Sequence, residues 1–215
     1  MSKKGFFIVF EGIEGSGKSY QAKILYNKLK KLNKKVILTR EPGGTKSAEI
    51  IRKIILKDYF EKNKKIKFDK YTDTLLYLAS RNEHVKNKIK PALKQGNIVI
   101  CDRFIDSTYA YQVEGKKVQN DFIKKIHNQI IGNLRPNLTI VLKVQQKSFV
   151  KRLQKRKTRN RYDNFPVKFY LKAQRSFIKL SKNKKNYVIF DSSKNTTELQ
   201  NLIFRLIVKR ISLKI

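Results

Sequence analysis

The stretch FEGIEGSGKSYQ, residues 10–21, decides the fold of this chain. From Gly12 to Ser19 it matches the pattern G-x-x-x-x-G-K-[ST], and it stands between an apolar run and a segment whose apolar residues have helical spacing. Glycines let the backbone curl so that successive N–H groups point at phosphate oxygens, while the N-terminus of the next helix adds positive potential. The stretch therefore predicts a strand, a phosphate-binding loop and a helix.

Two side chains of this loop carry the predicted chemistry. Lys18 would neutralise the β- and γ-phosphates of a nucleoside triphosphate, and the Ser19 hydroxyl would ligate Mg²⁺. The alternative is a plain glycine-rich turn, which does not require the flanking strand and helix patterns. The residues predicted to bind the nucleotide are Gly12, Ile13, Glu14, Gly15, Ser16, Gly17, Lys18, Ser19 and Tyr20.

Short apolar runs alternate with segments of helical spacing along the rest of the chain. Because these runs are too short for helices, we interpret them as buried strands. The predicted strands are 6–10, 36–39, 98–101, 138–144 and 187–190; the predicted helices are 19–32, 47–56, 72–95 and a last one that begins at the capping pattern Asn195-x-x-Glu198 and runs through Leu206. This alternation predicts an α/β fold with a parallel sheet of about five strands flanked by helices.

Length and composition favour a single domain in a reducing compartment. With 215 residues, 40% of them hydrophobic, the chain can build one sizeable core. No internal repeat or Pro/Gly/Ser-rich linker divides it, so we expect a single domain over residues 1–215. The single Cys101 excludes an internal disulfide and fits a reducing compartment, and the first apolar run is too short for a signal peptide. We therefore expect a cytoplasmic protein without a membrane span.

The chain is strongly basic, because 51 Lys and Arg against 16 Asp and Glu give a formal net charge of +35. Such a charge is typical of proteins that bind polyanions. The lysines are nevertheless scattered along every segment, and Asn and Ile, which like Lys have A- and T-rich codons, are also abundant. We attribute much of the excess to genome composition, as a hypothesis, and expect no nucleic-acid partner.

Four further segments narrow the class of nucleotide-binding protein. The loop alone is compatible with ATPases, GTPases and kinases, but the guanine-reading motif N-K-x-D is absent from the sequence. The segments are TREPGGT at 39–45, LLYLASR at 75–81, CDRFIDSTYAYQ at 101–112 and KRLQKRKTRNRYDNF at 151–165. In order and spacing, from about Phe6 to Leu206, the chain resembles the thymidylate kinases.

This resemblance implies an activity, a fold and partners. The activity is transfer of the γ-phosphate of ATP to dTMP, giving dTDP and ADP for dTTP synthesis, with Mg²⁺ as cofactor. The fold is that of a P-loop nucleoside monophosphate kinase with a basic lid at about residues 151–165. A homodimer is implied as well.

The resemblance also assigns site residues, position by position. Arg40 and Arg103 correspond to arginines near the acceptor phosphate, and Asp102 corresponds to the carboxylate that helps Ser19 to hold Mg²⁺, partly through water. Pro42 is expected to follow a cis peptide bond. The residues assigned to the dTMP site are Glu14, Arg40, Tyr77, Arg81, Arg103, Ser107, Thr108, Tyr111 and Gln112.

Within that set the implied roles differ. Tyr77 stands where the family usually has a Phe that stacks on thymine, and Arg81 would hydrogen-bond the base. Tyr111 would lie beneath the deoxyribose and crowd out a 2′-hydroxyl. Glu14 would approach the 3′-hydroxyl, or else be a loop carboxylate facing solvent. Ser107 and Thr108 would contact the thymine edge, and the Asp191-Ser192-Ser193 loop would flank the donor adenine.

The arginine that stabilises the transferring phosphoryl group is expected from the lid. In one branch of the family the glycine loop itself carries an arginine, and in the bacterial-type branch the lid supplies it. Neither Gly15 nor Ser16 is basic here, so the resemblance is to the bacterial type and implies that the lid supplies the charge. We predict that Arg156 and Arg161 do so, with Arg159 as a substitute, and count them with Lys18, Arg40, Asp102 and Arg103 as the catalytic residues. The alternative is a solvated basic helix.

Three alternatives stay open at this point. The chain could be a nucleoside monophosphate kinase with another acceptor, or a nucleic-acid-binding P-loop ATPase, for which the charge is the argument. The apolar stripe of the last helix, from Leu199 to Ile207, could lie on a membrane surface, although core packing is the simpler interpretation. His84 and His127 lack metal-ligand spacing and are given no role.

Overall fold

The computed structural model describes residues 5–57, 67–155, 162, 165–193 and 196–211. Its sheet has five parallel strands in the order β2-β3-β1-β4-β5. The strands are β1 (Phe6–Glu11), β2 (Val36–Arg40), β3 (Ile98–Asp102), β4 (Leu138–Lys143) and β5 (Tyr187–Asp191). The predicted α/β class with a five-stranded parallel sheet is confirmed, and each strand bound lies within one residue of its predicted position.

Helices cover the connections between the strands. Within the described residues the α-helices are α1 (Lys18–Lys31), α2 (Lys46–Leu56), α3 (Lys70–His84), α4 (Lys90–Lys94), α5 (Ile105–Thr108), α6 (Asn120–Ile131), α7 (Gln146–Gln154), α8 (Val167–Ser181) and α9 (Thr196–Arg210). Two π-helical segments, Val85–Ile89 and Tyr109–Gly115, extend α3 and α5. Asn195, predicted to cap the last helix, lies outside the described residues.

The predicted helix 72–95 is interrupted by the first π-helical segment. The Lys90 N–H donates to the carbonyl of Val85, five residues back. Pro91 follows at once; proline has no N–H, and its ring would collide with the carbonyl four residues earlier in a regular helix. The wider π turn removes that collision, and α3 therefore continues into α4 instead of ending.

The sheet is covered on both faces because side chains alternate along each buried strand. On β1, Ile8 and Phe10 join a cluster with residues of α1 and α9, whereas Phe7 and Val9 face the opposite layer. That opposite layer is built from the α3–α4 helix, α6 and, beside β4, from α8. Near-continuous burial of β1 and β4 agrees with this three-layer arrangement.

The apolar stripe of the last helix packs into the core. Leu199, Ile203 and Ile207 are at most 5% exposed and belong to the cluster that covers one sheet face. Core packing therefore accounts for the stripe, as the simpler interpretation predicted. Among the residues the structure describes, no helix combines the length and the apolar character needed to cross a membrane.

Candidate active site

A cavity of about 1030 Å³ opens at the carboxyl edge of the sheet. Parallel strands end on the same side, so the last residues of β1, β2 and β3 meet there; Arg40 and Asp102 are register partners. Predicted site residues that line the cavity are Glu14, Gly15, Gly17, Lys18, Ser19, Tyr20, Arg40, Tyr77, Arg81, Asp102, Arg103, Ser107, Thr108, Tyr111 and Gln112. Segments far apart in sequence thus form one site.

The glycine loop wraps around the Lys18 side chain. Gly17 has φ +85° and precedes the first residue of α1, a conformation that favours glycine. The Lys18 Nζ donates to the Ile13 carbonyl at 2.7 Å, and burial, followed by the charge of Arg103, lowers the pKa of Lys18 to about 8. Three residues of the loop do not line the cavity: Gly12, Ile13 and Ser16. The side chains of Ile13 and Ser16 are fully buried.

Ser19 and Asp102 form an oxygen donor pair that fits Mg²⁺. The Ser19 hydroxyl, in the first turn of α1, hydrogen-bonds to Oδ2 of Asp102, the last residue of β3. The other carboxylate oxygen, Oδ1 of Asp102, is buried and has no partner among the described residues. Hydroxyl and carboxylate oxygens are the hard ligands that Mg²⁺ takes, usually one or two from protein with water completing the shell. The predicted metal ligands therefore lie together.

Glu14 is held inside the site instead of facing solvent. Its Oε1 accepts from Nη2 of Arg103 at 2.6 Å, and its Oε2 accepts from the hydroxyl of Tyr111 at 2.6 Å. Burial opposes the charged form, but Arg103 and Lys18 outweigh it, and the net effect lowers the pKa of the Glu14 carboxyl. The acidic group of the loop is therefore a paired carboxylate at neutral pH.

Arg103 lies at the centre of this cluster. Besides Glu14, its guanidinium donates to the Gly12 carbonyl at 3.0 Å and to the Ser107 hydroxyl at 3.2 Å. Its backbone has φ +73°, a left-handed conformation that is uncommon for a residue with a side chain and is concentrated at functional sites. This turn after β3 directs the guanidinium back across the sheet edge toward the glycine loop.

Arg81, predicted to read the base, is 3% exposed and forms hydrogen bonds on every nitrogen. Its Nε donates to Oε2 of Glu41 at 2.7 Å, its Nη1 contacts Thr108 Oγ1 at 2.6 Å and His127 Nε2 at 2.7 Å, and its Nη2 donates to the Phe104 carbonyl at 2.8 Å. Thr108, predicted to touch the base, thus also supports the arginine.

Glu41 and His84 extend this network on the side of β2. The Glu41–Pro42 peptide bond is cis, as expected. Oε1 of Glu41 lies 3.1 Å from His84 Nδ1, and His84 Nε2 lies 2.7 Å from the hydroxyl of Thr39. Burial opposes ionisation of Glu41, but Arg81 and His84 together lower the pKa of its carboxyl. His84 is therefore a support of the site, which the sequence analysis missed.

Glu11 is a second residue that the sequence analysis missed. Its carboxyl accepts from the backbone N–H groups of Phe104 and Ser107 and from the Ser107 hydroxyl, at 2.8, 3.2 and 2.7 Å. Burial, followed by the charge of Asp106, raises the pKa of Glu11 to about 8. The side chain thus fixes the start of α5 directly after Arg103. Its position at the end of an apolar strand was the available signal.

The remaining predicted residues differ in position: one is half exposed, one is buried in the cavity wall, and three lie outside the residues that the structure describes. Arg40 is half exposed and pairs with Glu49 at 3.0 Å. The buried Nε2 of Gln112 has no partner among the described residues. Arg152 of α7 donates to the carbonyls of Gly15 and Ser192, joining the glycine loop to the 191–193 loop. Arg156, Arg159 and Arg161 lie outside the described residues.

Replacing Gly44 with Ala is expected to destabilise the fold by about 3 kcal/mol. Gly44 has φ +97°, and an added Cβ would lie 2.4 Å from Cδ2 of His84, whose ring is held at both nitrogens. Urea unfolding measures the loss. Gly132→Ala is the control for backbone strain: φ is +60° and ψ −130°, a conformation that favours glycine, and among the described residues no atom beyond its chain neighbours lies within 4 Å of the new Cβ. A smaller loss than at Gly44, from strain alone, is expected. Equal losses in both variants would contradict the contact.

Known proteins resemble this chain in both sequence and fold. Residues 10–203 match the family model described as thymidylate kinase. A thymidylate kinase from Sulfurihydrogenibium sp. is 38% identical over 93% of this chain and 95% of its own length, and one from Mycoplasma capricolum is 38% identical over 95% of both. The crystal structure of thymidylate kinase from Ehrlichia chaffeensis matches with a TM-score of 0.74 and 29% identity, covering 95% of this chain and 98% of that one.

The parallel five-stranded sheet with a phosphate-binding loop after β1 defines a P-loop nucleoside monophosphate kinase fold. The family match and the similarity to the relatives extend over most of the chain. This chain belongs to the thymidylate kinase family.

Proposed function

We propose that this chain transfers the γ-phosphate of ATP to dTMP, giving dTDP and ADP. The observation that carries the proposal is that one cavity is lined both by the glycine loop, through Lys18 and Ser19, and by the acceptor-side residues Tyr77, Arg81 and Arg103. Phosphoryl transfer needs donor and acceptor phosphates in line and their charge neutralised, and it needs no strong general base. A cavity that holds both sets of side chains meets these needs.

The acceptor phosphate is proposed to bind at Arg103 and Arg40. A guanidinium offers a planar fork that matches two oxygens of a dianionic phosphate. The phosphate competes with Glu14 for Arg103, and Glu14 then turns toward the sugar 3′-hydroxyl. From this position an acceptor oxygen forms a bond to the γ-phosphorus, the bond from that phosphorus to the β,γ-bridging oxygen breaks, and ADP leaves with the electron pair. Lys18 balances the charge on the donor phosphates during this step.

Mg²⁺ is proposed to bind Ser19 directly and Asp102 partly through water. When bound, it would neutralise the charge that develops on the phosphates. The buried Oδ1 of Asp102, which has no partner among the described residues, supports this assignment. Arg156 and Arg161 remain the proposed arginines of the lid at about 151–165; an arginine at that point contributes on the order of 10³–10⁵ in rate.

The acceptor site is proposed to favour a thymine base on a deoxyribose. Tyr77 lines the cavity and supplies a ring for stacking, and Tyr111, 5% exposed, leaves little room beneath the sugar. Tyr111 belongs to a buried cluster and packs edge-on against Phe177, with ring centroids 6.0 Å apart, so its ring cannot move aside without disturbing the core. These contacts support discrimination against a ribonucleotide.

An ADP-release assay with ATP and Mg²⁺ tests the proposal. We expect kcat/KM to be highest for dTMP, and dUMP to exceed UMP by at least about 10-fold because that pair differs only at the 2′-hydroxyl. CMP and AMP, which carry other bases, are expected to be poor acceptors. A clear preference for another monophosphate would support kinase activity but contradict the residues assigned to base recognition. Salt-sensitive nucleic-acid binding with stimulated ATP hydrolysis and no acceptor turnover would favour the P-loop ATPase instead.

We further propose a cytoplasmic homodimer built from one domain over residues 1–215. The buried free thiol of Cys101 supports a reducing compartment. Ile50 on α2 and Leu75 on α3 are large apolar side chains, 63% and 48% exposed, on two helices that pack together. Exposed apolar side chains on adjacent helices support a subunit interface at that face. Sedimentation velocity tests the dimer.

A further inference from the structure

Arg81 has almost all of its hydrogen-bonding capacity occupied by the protein. A guanidinium carries five N–H donors: one on Nε and two on each terminal nitrogen. Glu41 takes the Nε donor, Thr108 and His127 take both donors of Nη1, and the Phe104 carbonyl takes one donor of Nη2. With these partners among the described residues, one N–H on Nη2 is left for a ligand in the cavity.

The contact with His127 fixes the state of the histidine ring. Arginine only donates, so Nε2 of His127 must carry the lone pair and the ring proton must lie on Nδ1. Burial, followed by the charges of Arg81 and Arg135, lowers the pKa of His127 to about 2. A neutral ring that accepts at Nε2 is therefore present throughout the working pH range.

His127 contacts Arg81 but does not line the cavity. It is 6% exposed, stands on α6, and packs edge-on against Tyr109 with ring centroids 5.8 Å apart. The guanidinium also lies over the ring of Phe104, whose centroid is 5.4 Å from Cζ of Arg81. His127 is therefore the acceptor that α6 contributes, beside Glu41, Thr108 and the Phe104 carbonyl, to the position of the guanidinium.

We propose that His127 is a positioning residue for base recognition: by accepting one Nη1 hydrogen of Arg81 it turns the guanidinium so that a single Nη2 hydrogen faces the base. This inference rests on the proposed function, in which Arg81 meets the base of dTMP. A single donor suits a ring carbonyl, which thymine and uracil present at the position where cytosine presents an amino donor. Without His127, one Nη1 hydrogen loses its acceptor, and only the contacts with Glu41, Thr108 and the Phe104 carbonyl still orient the guanidinium.

Two substitutions separate positioning from packing. His127→Leu introduces an apolar side chain of similar size and removes the Nε2 acceptor. His127→Gln places an amide oxygen near the former Nε2 and restores it. We expect His127→Leu to raise KM for dTMP about 10-fold, the effect of one lost hydrogen bond to a charged group, with KM for ATP within 2-fold and with lower selectivity for dTMP over dCMP. His127→Gln is expected to recover most of both effects.

The measurement combines kinetics with direct binding. Calorimetric titration with dTMP is carried out on the wild type and both variants at a temperature where circular dichroism shows all three folded. Equal dTMP affinity in the wild type and the Leu variant would overturn the inference. So would parallel increases in KM for dTMP and ATP, or a Gln variant as impaired as the Leu variant, since both results indicate packing alone.

This design also distinguishes failure of the inference from failure of the proposed function. If wild-type protein binds dTMP without turning it over, the kinase proposal fails while the ratio of binding constants still tests His127. If wild-type protein turns over dTMP and the ratio is unity, the function stands and the inference fails. If it neither binds nor turns over dTMP, both fail.

Discussion

Replacing Lys18 with Met is expected to lower kcat/KM for ATP-dependent phosphorylation of dTMP by about 10³-fold, the cost of removing one preorganised charge from the transferring phosphates. Met keeps the length of the side chain and removes its charge. The ammonium group lies within the glycine loop, 2.7 Å from the Ile13 carbonyl, where bound phosphates would meet it. The ADP-release assay with saturating dTMP measures the loss.

The same substitution is expected to leave the fold at least as stable at pH 7. Burial lowers the pKa of Lys18 from 10.5 to about 8. Below pH 8 the folded chain therefore carries a charged ammonium group, although its amine binds the proton less tightly than the amine in the unfolded chain does. Between about pH 8 and 10.5 the unfolded chain binds more protons, and wild-type stability rises with pH. Met removes both the cost and the rise. Activity and stability should therefore move independently.

Lys31→Met is the matched control for Lys18. Lys31 is an exposed residue at the end of the same helix, α1. Its replacement is expected to change neither kcat/KM nor the urea midpoint appreciably. A Lys18→Met variant that retained more than about a tenth of wild-type activity would contradict the assigned role of the lysine.

Replacing Arg103 with Lys is expected to raise KM for dTMP and to lower kcat/KM for dTMP by about 100-fold or more, while KM for ATP changes little. Lysine keeps the charge but loses the fork that can bind two phosphate oxygens. It also cannot reproduce the contacts with Glu14 and Ser107, at 2.6 and 3.2 Å, that hold the guanidinium at the cavity. Initial rates over a matrix of ATP and dTMP concentrations separate the two KM values.

Arg205→Lys on α9 is the control for this change, because Arg205 is exposed on a helix that does not line the cavity. It should leave both KM values unaltered. If Arg103→Lys raised KM for ATP as much as KM for dTMP, the arginine would serve the donor side or the loop as a whole, and its assignment to the acceptor phosphate would be wrong.

Local sequence determined the phosphate-binding end of this protein. The glycine loop lies in eight consecutive residues, and its conformation follows from glycines that accept positive φ and from a helix that begins at once. The strands could also be predicted from local sequence, since short apolar runs bounded by polar residues indicate buried strands when both faces of the sheet are covered. For these parts, contacts between near neighbours in sequence carry most of the information.

The helices around the acceptor site were harder to predict from the sequence. The segment IDSTYAYQVEG at 105–115 is rich in Ser, Thr and Tyr, which favour helices weakly, and no helix was assigned there. In the folded chain Ala110 and Tyr111 are buried against α8, and this packing holds the helical and π-helical turns in place. Tertiary burial, and not intrinsic propensity, decides such segments.

The surroundings of Arg81 were decided only by the tertiary structure. Its partners Glu41, Thr108 and His127 lie 40, 27 and 46 residues away along the chain. The two histidines were given no role, because they lack metal-ligand spacing to each other. A buried guanidinium must find an acceptor for nearly every N–H, since each one left unpaired is costly. Those acceptors come from whichever strands and helices the fold brings beside it, and this is why sequence alone determined the class of site but not its geometry.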